Sequence, residues 1–280
     1  MRSERLQFML LLSVLLLAPS AVAYEIDLTV DTGSDSNLNR APDGSRAYRD
    51  QWLGVRLGYA TRFQYDPQLA FVYQGELSLR TWRDWRALDQ TRTEVGGGLR
   101  YKPNIGREVI TWSADVRFAH TGVRSDRRSG DEWVYSLGLV RPLSAWTTIA
   151  AAVEYARTDA AEAAFDATQR RASVSLSRSV GQAWAVDAAL RWRSGDFTAS
   201  TSLDATLFAV SEVSVLDDTF GLGWADYRLN AHGLTLDLGA SYVLAGGSAI
   251  SFAWSRSRMH GDGASSYGVT IIGLDWTGSF

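Results

Sequence analysis

The sequence predicts an all-β chain closing into a transmembrane antiparallel up-and-down β-barrel of fourteen strands, with twelve as the alternative, over residues 24–280. Three observations carry this reading. Apolar residues alternate with polar or very small ones in segments of about ten residues along the chain. Short turns and longer polar loops alternate between these segments, as they do when only one rim of a barrel has room for loops. The face opposite the apolar one holds charges among Gly, Ala and Ser, which could not serve as the core of a soluble sandwich.

Composition narrows the alternatives. With 280 residues, 28 Lys+Arg against 31 Asp+Glu, 46% hydrophobic residues and no cysteine, the chain is neither disordered, collagenous nor a disulfide scaffold. Its weak negative charge argues against a nucleic-acid partner, although Lys102 is the only lysine and the other basic residues are arginines. Residues 1–23 read as a secretory signal, with basic Arg2 and Arg5, an apolar stretch from Phe8 to Ala18, and the small triplet Ala21, Val22, Ala23 before cleavage. That stretch is well short of the roughly 20 residues a spanning helix needs.

The strands then follow in order. Leu53, Val55, Leu57, Tyr59 and Phe63 share a greasy face against Gly54, Arg56, Gly58, Ala60 and Arg62. Phe71, Tyr73, Leu77 and Leu79 oppose Gln74, Glu76, Ser78 and Arg80, and Val95, Leu99 and Tyr101 oppose Glu94, Gly96, Gly98 and Arg100. Further on, Trp112, Val116 and Phe118 alternate with Asp115 and Arg117, and Ile149, Val153 and Tyr155 with Ala150, Ala152 and Glu154. Val174 and Leu176 alternate with Ser173 and Ser175, Val186, Leu190 and Trp192 with Asp187 and Arg191, and Leu234, Leu236 and Leu238 flank Asp237. Turn chemistry marks the short connections at Asp66-Pro67, Pro103-Asn104, Pro142-Leu143, Gly181 and Gly246-Gly247. The long connections fall near 31–50, 83–91, 121–132, 157–169 and 260–266. Aromatic residues on the greasy face gather toward strand ends: Trp52, Trp133, Tyr155 and Trp192 by the long loops, Tyr101, Trp146 and Trp184 by the short turns. These are the two levels that amphipathic rings favour in a bilayer.

Residues 24–195 read as nine strands and 232–280 as three, so the count turns on 196–231. Ala199 to Ala209 alternates well enough for one more strand, and Val213 to Trp224 would be its partner, with a phase break at Leu216–Thr219. Both termini at the short-turn rim require an even number.

The chain ends on Tyr267-Gly268-Val269-Thr270-Ile271-Ile272-Gly273-Leu274-Asp275-Trp276-Thr277-Gly278-Ser279-Phe280. Counting back in twos from Phe280 gives Gly278, Trp276, Leu274 and Ile272, which resembles the C-terminal assembly signal of Gram-negative outer-membrane β-barrel proteins. Gly278 is a weak match to it. The resemblance implies delivery to the barrel assembly machinery and residence in the cell outer membrane, with Ile272, Leu274, Trp276 and Phe280 as the signal. It implies no individual family.

A barrel of this size is too wide to be filled like an eight-stranded one. The expected lumen lining is Arg56, Arg62, Arg80, Arg100, Arg117 and Arg191 with Glu76, Glu94, Asp115, Glu154, Asp187 and Asp237. It could be a charged constriction in a channel for passive diffusion of small hydrophilic or charged solutes, or a set of ion pairs bracing a closed barrel, and an inward-folded loop could still plug it. An interaction or export barrel working with a separate partner is the alternative, and a lipid-acting hydrolase the second. Hydrolase chemistry would need a histidine with a nucleophile or carboxylate. His120 near Thr93, Ser129 and Asp131 is incomplete as a triad, His232 with Asp226 and Asp217-Asp218 could form an acidic site, and His260 reads as a loop residue. No cofactor or metal motif is present. Arginines crowd the long loops: Arg80, Arg83, Arg86 and Arg92 around one, Arg124, Arg127 and Arg128 in the next, then Arg170, Arg171, Arg256 and Arg258. Their fork geometry suits phosphate, which points to outer-membrane lipid and lipopolysaccharide as partners, or to an acidic polymer whose sugars could stack on Trp82 and Trp85.

Overall fold

The computed structural model describes residues 23–106, 108–244, 246–261 and 265–280, so the expected signal peptide lies outside the described residues except for Ala23. The alternating segments become β1 (Ala23–Asp35), β2 (Asp50–Gln64), β3 (Leu69–Trp82), β4 (Gln90–Tyr101), β5 (Thr111–Val123), β6 (Gly130–Pro142), β7 (Thr147–Ala160), β8 (Ala167–Val180) and β9 (Trp184–Ser202). After a short helix α1 (Ala205–Val210) come β10 (Val213–Leu216), β11 (Trp224–Val243), β12 (Ala249–Gly261) and β13 (Ser266–Ser279). Neighbours pair antiparallel in chain order, β9 pairs directly with β11, and β13 pairs with β1. The ladder therefore closes through twelve strands, leaving β10 outside.

The fourteen-strand count is thus corrected to twelve. The alternation after residue 195 belongs to β9 itself, which runs 19 residues and leaves the wall at Gly195, where φ is +126°. Asp204 then accepts hydrogen bonds from the Thr206 and Leu207 N–H groups and caps α1 instead of continuing a strand. Four residues of β10 pair only with Ala225–Arg228, on the far edge of the 20-residue β11. Period two reports a strand with two unlike faces; it does not report whether that strand stays in the wall.

Outward apolar side chains are exposed around the whole wall, among them Leu53, Val55, Leu57, Leu79, Leu99, Leu137, Val153, Val174, Leu190 and Leu236. A continuous apolar band of this extent has no place on a soluble monomer and suits lipid. Exposed rings border it, with Trp133, Tyr155 and Trp192 toward the long loops and Tyr101, Trp112, Trp146, Trp184 and Tyr242 toward the short turns. Trp52 departs from the expected outer belt: it is out of phase with Leu53, turns inward, and packs against Trp82 at a ring distance of 5.5 Å. Trp82 is likewise buried, so it is not free to stack on a sugar.

On β13, Ile272, Leu274 and Trp276 are exposed on the outer face, with Phe280 just beyond the strand. Trp276 lies opposite Val30, and the Phe280 N–H donates to the Ile26 carbonyl at 2.9 Å, completing the seam. Gly278 has a steric reason for interrupting this apolar row, since a Cβ there would stand 2.9 Å from the Trp276 ring and 3.6 Å from Phe280.

The twelve-strand closure is testable by crosslinking. Leu190 and Leu236 are directly paired on β9 and β11, within disulfide reach of one another. Cysteines at both positions should oxidise to an intramolecular disulfide in the folded barrel, seen as a shifted non-reducing gel band. A fourteen-strand arrangement would put the 199–209 segment beside Leu190 and leave both thiols free.

Candidate functional site

Side chains on the opposite face of the strands enclose a charged lumen. Four of the expected lining arginines pair simply: Arg56 with Glu76 at 3.9 Å, Arg80 with Asp31, which was not on the expected list, at 3.7 Å, Arg100 with Asp115 at 2.6 Å and Arg191 with Asp237 at 2.5 Å. Arg62 sits near the short-turn rim and donates to Gln64 at 2.9 Å, while Asp187 lies over Gly239. Arg117, Glu94 and Glu154 join three residues that were not on the expected list. Arg92 bonds Glu94 at 2.9 Å and Glu132 at 2.8 Å, Arg171 reaches Glu132 at 3.4 Å and Glu154 at 3.8 Å, and Arg117 reaches Glu154 at 3.1 Å and Glu94 at 3.6 Å. Each arginine bridges two glutamates and each glutamate two arginines, so six side chains form a closed, charge-neutral circuit on the β4–β8 wall.

Across from it the wall is more acidic. Asp31 and Asp275 are direct cross-strand partners on β1 and β13, an arrangement of like charges that costs stability unless cations stand nearby. Asp31 has Arg80 and accepts from the Trp52 indole at 2.6 Å. Small inward residues seat these charges rather than only widening the bore. Asp27, Asp31, Asp115 and Asp187 each lie directly opposite a glycine, respectively Gly58, Gly54, Gly98 and Gly239, and any side chain there would collide with the carboxylate. The charged groups lie along the wall, leaving chambers of about 390 Å³ beside Asp31, Arg56 and Asp275 and about 260 Å³ beside Asp27, Glu76 and Arg117.

The long-loop mouth is covered. Beyond Gly195 the ladder of β9 and β11 runs on to Ser202 and Trp224 as a hairpin leaving the wall. Its tip, residues 203–223, touches loops half the barrel away. Phe220 packs on Tyr48 of the β1–β2 loop at 5.8 Å and on Trp85 of the β3–β4 loop at 5.1 Å. Nearer its base, Thr198 donates to the Ala164 carbonyl at 2.8 Å and Arg228 to that of Ala163 at 3.0 Å, both in the β7–β8 loop. Asn39 of the first loop and Ser200 exchange hydrogen bonds of 2.8 and 2.9 Å. Under this lid a cavity of about 360 Å³ lies between Leu38, Trp82 and Phe165 on one side and Arg92 and Glu132 on the other.

Arg128, in the β5–β6 loop, is the latch. Its guanidinium reaches Asp217 and Asp226 of the lid at 3.0 Å each and stacks over Phe165 and Phe220 at 4.5 and 5.4 Å. The Ser200 hydroxyl donates to Asp226. Asp226 lies outside the lipid-facing band, and burial together with a hydrogen bond to Asp217 pushes its carboxyl up to about 7. Burial opposes ionisation of Asp217 as well, but hydrogen bonds from Asp226 and Thr219 and the charge of Arg128 hold it well below the usual range. Below about pH 7, with the lid shut, the two acids thus share one proton.

The histidine candidates separate. His120 Nδ1 is 2.7 Å from Asp131 on the outer rim, and Thr93 is in register with His120, but among the described residues no hydrogen bond joins that hydroxyl to the ring. Ser129 Oγ is occupied by the backbone of Val123. Asp226 and Asp217 serve the latch, whereas His232 packs on His260 at 6.0 Å, so the proposed His232–Asp226 site does not form.

No protein-family model matches the chain, and no curated protein matches its sequence. Its fold does have solved counterparts. An outer membrane channel from Pseudomonas putida F1 aligns with a TM-score of 0.59 at 10% identity, covering 94% of this chain and 100% of the other. The NanC porin aligns at 0.48 and 8%, covering 89% and 98%. At 10% identity the first of these likenesses is one of fold: the chain has a closed antiparallel barrel like that of the Pseudomonas putida channel.

The lid should respond to pH with a definite sign. Asp226, raised in the closed state, contributes closure that is complete below its ordinary carboxyl range near 4 and is lost as pH rises through about 7. Asp217, lowered, contributes closure that is present above that range and lost as pH falls below it. Closure should therefore be tightest near pH 4–5 and looser at pH 8. Hydrogen exchange over 212–224, corrected for its intrinsic pH dependence, should be faster at pH 8 than at pH 5, and Asp226→Asn should flatten the difference. Arg128→Met should speed that exchange by about tenfold or more, because it strands buried acids.

Proposed function

We propose that this chain is an outer-membrane channel for passive diffusion of small hydrophilic or charged solutes, shut at its outer mouth by residues 203–223. The observation that carries the reading is a charged, chambered lumen covered at the long-loop end by a hairpin tip that meets the opposite loops through side chains of Arg127, Arg128, Tyr48 and Trp85 and shares no backbone ladder with the barrel wall beyond β11. A barrel that only needed bracing would have no use for a latch built on one arginine. The long loops face outward and the short turns face the periplasm, as the exported precursor and C-terminal signal of the sequence reading require. Release of Asp217 and Phe220 from Arg128, Tyr48 and Trp85 uncovers the bore, whose ion-paired lining gives modest ion preference, since water and salt screen charges beyond about 8 Å. One observation favours the alternative of a barrel that docks a partner: Leu203, Phe208, Leu216 and Leu222 are exposed on the lid.

Planar-bilayer recordings test the channel. Arg128→Ala, and separately replacement of 205–221 by a short Gly-Ser linker, should raise the time-averaged conductance of purified barrel well above wild type. Arg56→Gln with Arg117→Gln should move the reversal potential under a salt gradient toward cations, because Glu76 loses its partner and Glu94 and Glu154 each lose one of two. Absence of current from the lid-deleted barrel sinks the channel reading and leaves the docking one.

The C-terminal row is proposed to address the chain to the assembly machinery. Deleting Phe280 should cut membrane yield several-fold while leaving the heat-modifiable gel migration of barrel refolded in detergent unchanged. Equal yield in cells would make the row a lipid-facing strand and nothing more.

A further inference from the structure

We propose that the outer wall across β8–β12, at the long-loop edge of the apolar band, binds the phosphate groups of a phosphorylated glycolipid in the outer leaflet. The inference rests on the membrane-barrel reading and not on conduction.

The argument begins with register. Arg170 of β8 pairs with Ser194 of β9, Ser194 with His232 of β11, and His232 with His260 of β12, so these four side chains form one outward row. Each shares the phase of lipid-facing residues on its own strand: Val174, Trp192, Leu234 and Phe252. Arg256 and Arg258 of β12 extend the row toward the membrane, Arg258 lying in line with Leu234 and Trp192. Trp192 marks headgroup depth, so the guanidinium groups sit where lipid phosphates do. Arg170, Arg256, Arg258, His232 and His260 are all exposed.

The three guanidinium groups are scarcely neutralised by the protein. The Arg258 guanidinium is 4.0 Å from Asp43 with both side chains more than half exposed, a contact worth little in water. Arg256 only donates to the Thr270 hydroxyl at 3.4 Å, and Arg170 has no ion pair among the described residues. The Asp196 carboxylate near this edge is already engaged by the Thr168 N–H at 2.6 Å. On the opposite wall the outward rim is different, because His120 pairs with Asp131 at 2.7 Å and Arg157 with Asp159 at 3.0 Å. One side of the barrel is self-neutralised at headgroup level and the other presents three weakly engaged forks beside His232 and His260, the latter bonded to the Ser266 hydroxyl at 3.0 Å. Guanidinium forks bind phosphate bidentately, and apolar side chains just below them would take the acyl chains of the same molecule. A soluble phosphate would have no use for that apolar floor, which favours the lipid.

Native mass spectrometry of the detergent-solubilised barrel tests this, with bisphosphorylated lipid A, dephosphorylated lipid A and inorganic phosphate as separate probes. The triple variant Arg170→Gln/Arg256→Gln/Arg258→Gln should lose bound bisphosphorylated lipid A by about tenfold or more, whereas Arg157→Gln on the opposite wall should match wild type. Wild type should hold dephosphorylated lipid A no better than the triple variant does. The triple variant must keep heat-modifiable migration, which shows that it is folded. Equal retention of bisphosphorylated lipid A by the triple variant overturns the proposal. So does wild-type retention of the dephosphorylated lipid at the same level, which would mean acyl contact alone, or an inorganic phosphate adduct without lipid binding, which would mean a site for the free ion. A barrel that carries no current yet shows the expected lipid pattern would remove the channel and leave this inference standing.

Discussion

Everything in this molecule depends on the closure of one hydrogen-bond ladder. A backbone N–H or C=O facing hydrocarbon has no water to turn to, so a sheet in lipid must have no free edge. The seam between β1 and β13 meets this demand over Asp27–Asp35 and Ile271–Ser279, with Phe280 fastened to Ile26 beyond it. Once the ladder closes, side chains divide by parity into those that meet lipid and those that meet the bore. The chain then needs no buried apolar core in the wall. Its two buried clusters, around Tyr227 and around Trp82, lie instead at the long-loop end, where β9 and β11 leave the barrel.

The bore follows from that division. Ten or more charged side chains facing each other around a ring would crowd and repel if each projected to the axis. Cross-strand glycines let aspartates lie on the wall, and the six-residue circuit neutralises three glutamates with three arginines. Charge balance in the composition thus becomes local pairing on one wall and an acidic bias on the other, where Asp27 and Asp275 have no ion pair among the described residues. A net charge near zero conceals this asymmetry, since it counts groups and ignores which strand holds them.

Much of this was legible in the sequence, and the reasons for the rest are physical. The lipid-facing residues announced themselves because hydrocarbon imposes a sharp contrast between successive positions, as with Leu53 and Gly54 or Leu190 and Arg191. Near the long-loop rim the contrast fades, since both faces of a strand are polar there. Arg92 therefore reads as a loop arginine and Glu132 gives no signal, although each keeps the inward phase of its strand; Arg171 shows that phase beside Ser173 and Ser175 but falls in the loop cluster as well. Trp52 could have been assigned inward by counting from Leu53, but its ring suited the expected belt. The lid had no local signature at all. Arg128 and Asp226 are separated by 98 positions, and only the three-dimensional path of β9 past Gly195 brings them together.

The same path decides which part of the lid can move. The hairpin base carries Phe197, Tyr227 and Leu229, all buried against Met259 of β12 and Tyr267 of β13. Swinging the whole hairpin outward would expose this cluster and strip the hydrogen bonds between Ser200 and Asn39, a cost of several kcal/mol for a handful of large apolar groups. The tip has different fastenings. Phe220 sits among Tyr48, Trp85 and Trp224, and Asp217 meets Arg128, but the chain from 203 to 223 contains only α1, a four-residue strand and a single 3-10 turn. Such a segment can release without disturbing the wall, because few of its backbone groups are committed to the barrel ladder. Under the proposed gating, opening would divide at Ser202 and Trp224: the base would stay as a fixed half-cover over β12 and β13, and the tip, once β10 leaves Ala225–Arg228, would uncover the β3–β6 side, above the neutral Arg–Glu circuit. Under the proposed channel function, a solute entering there would meet paired charges first and the acidic wall second, so the position of the hinge, as much as the lining itself, would set what the bore discriminates.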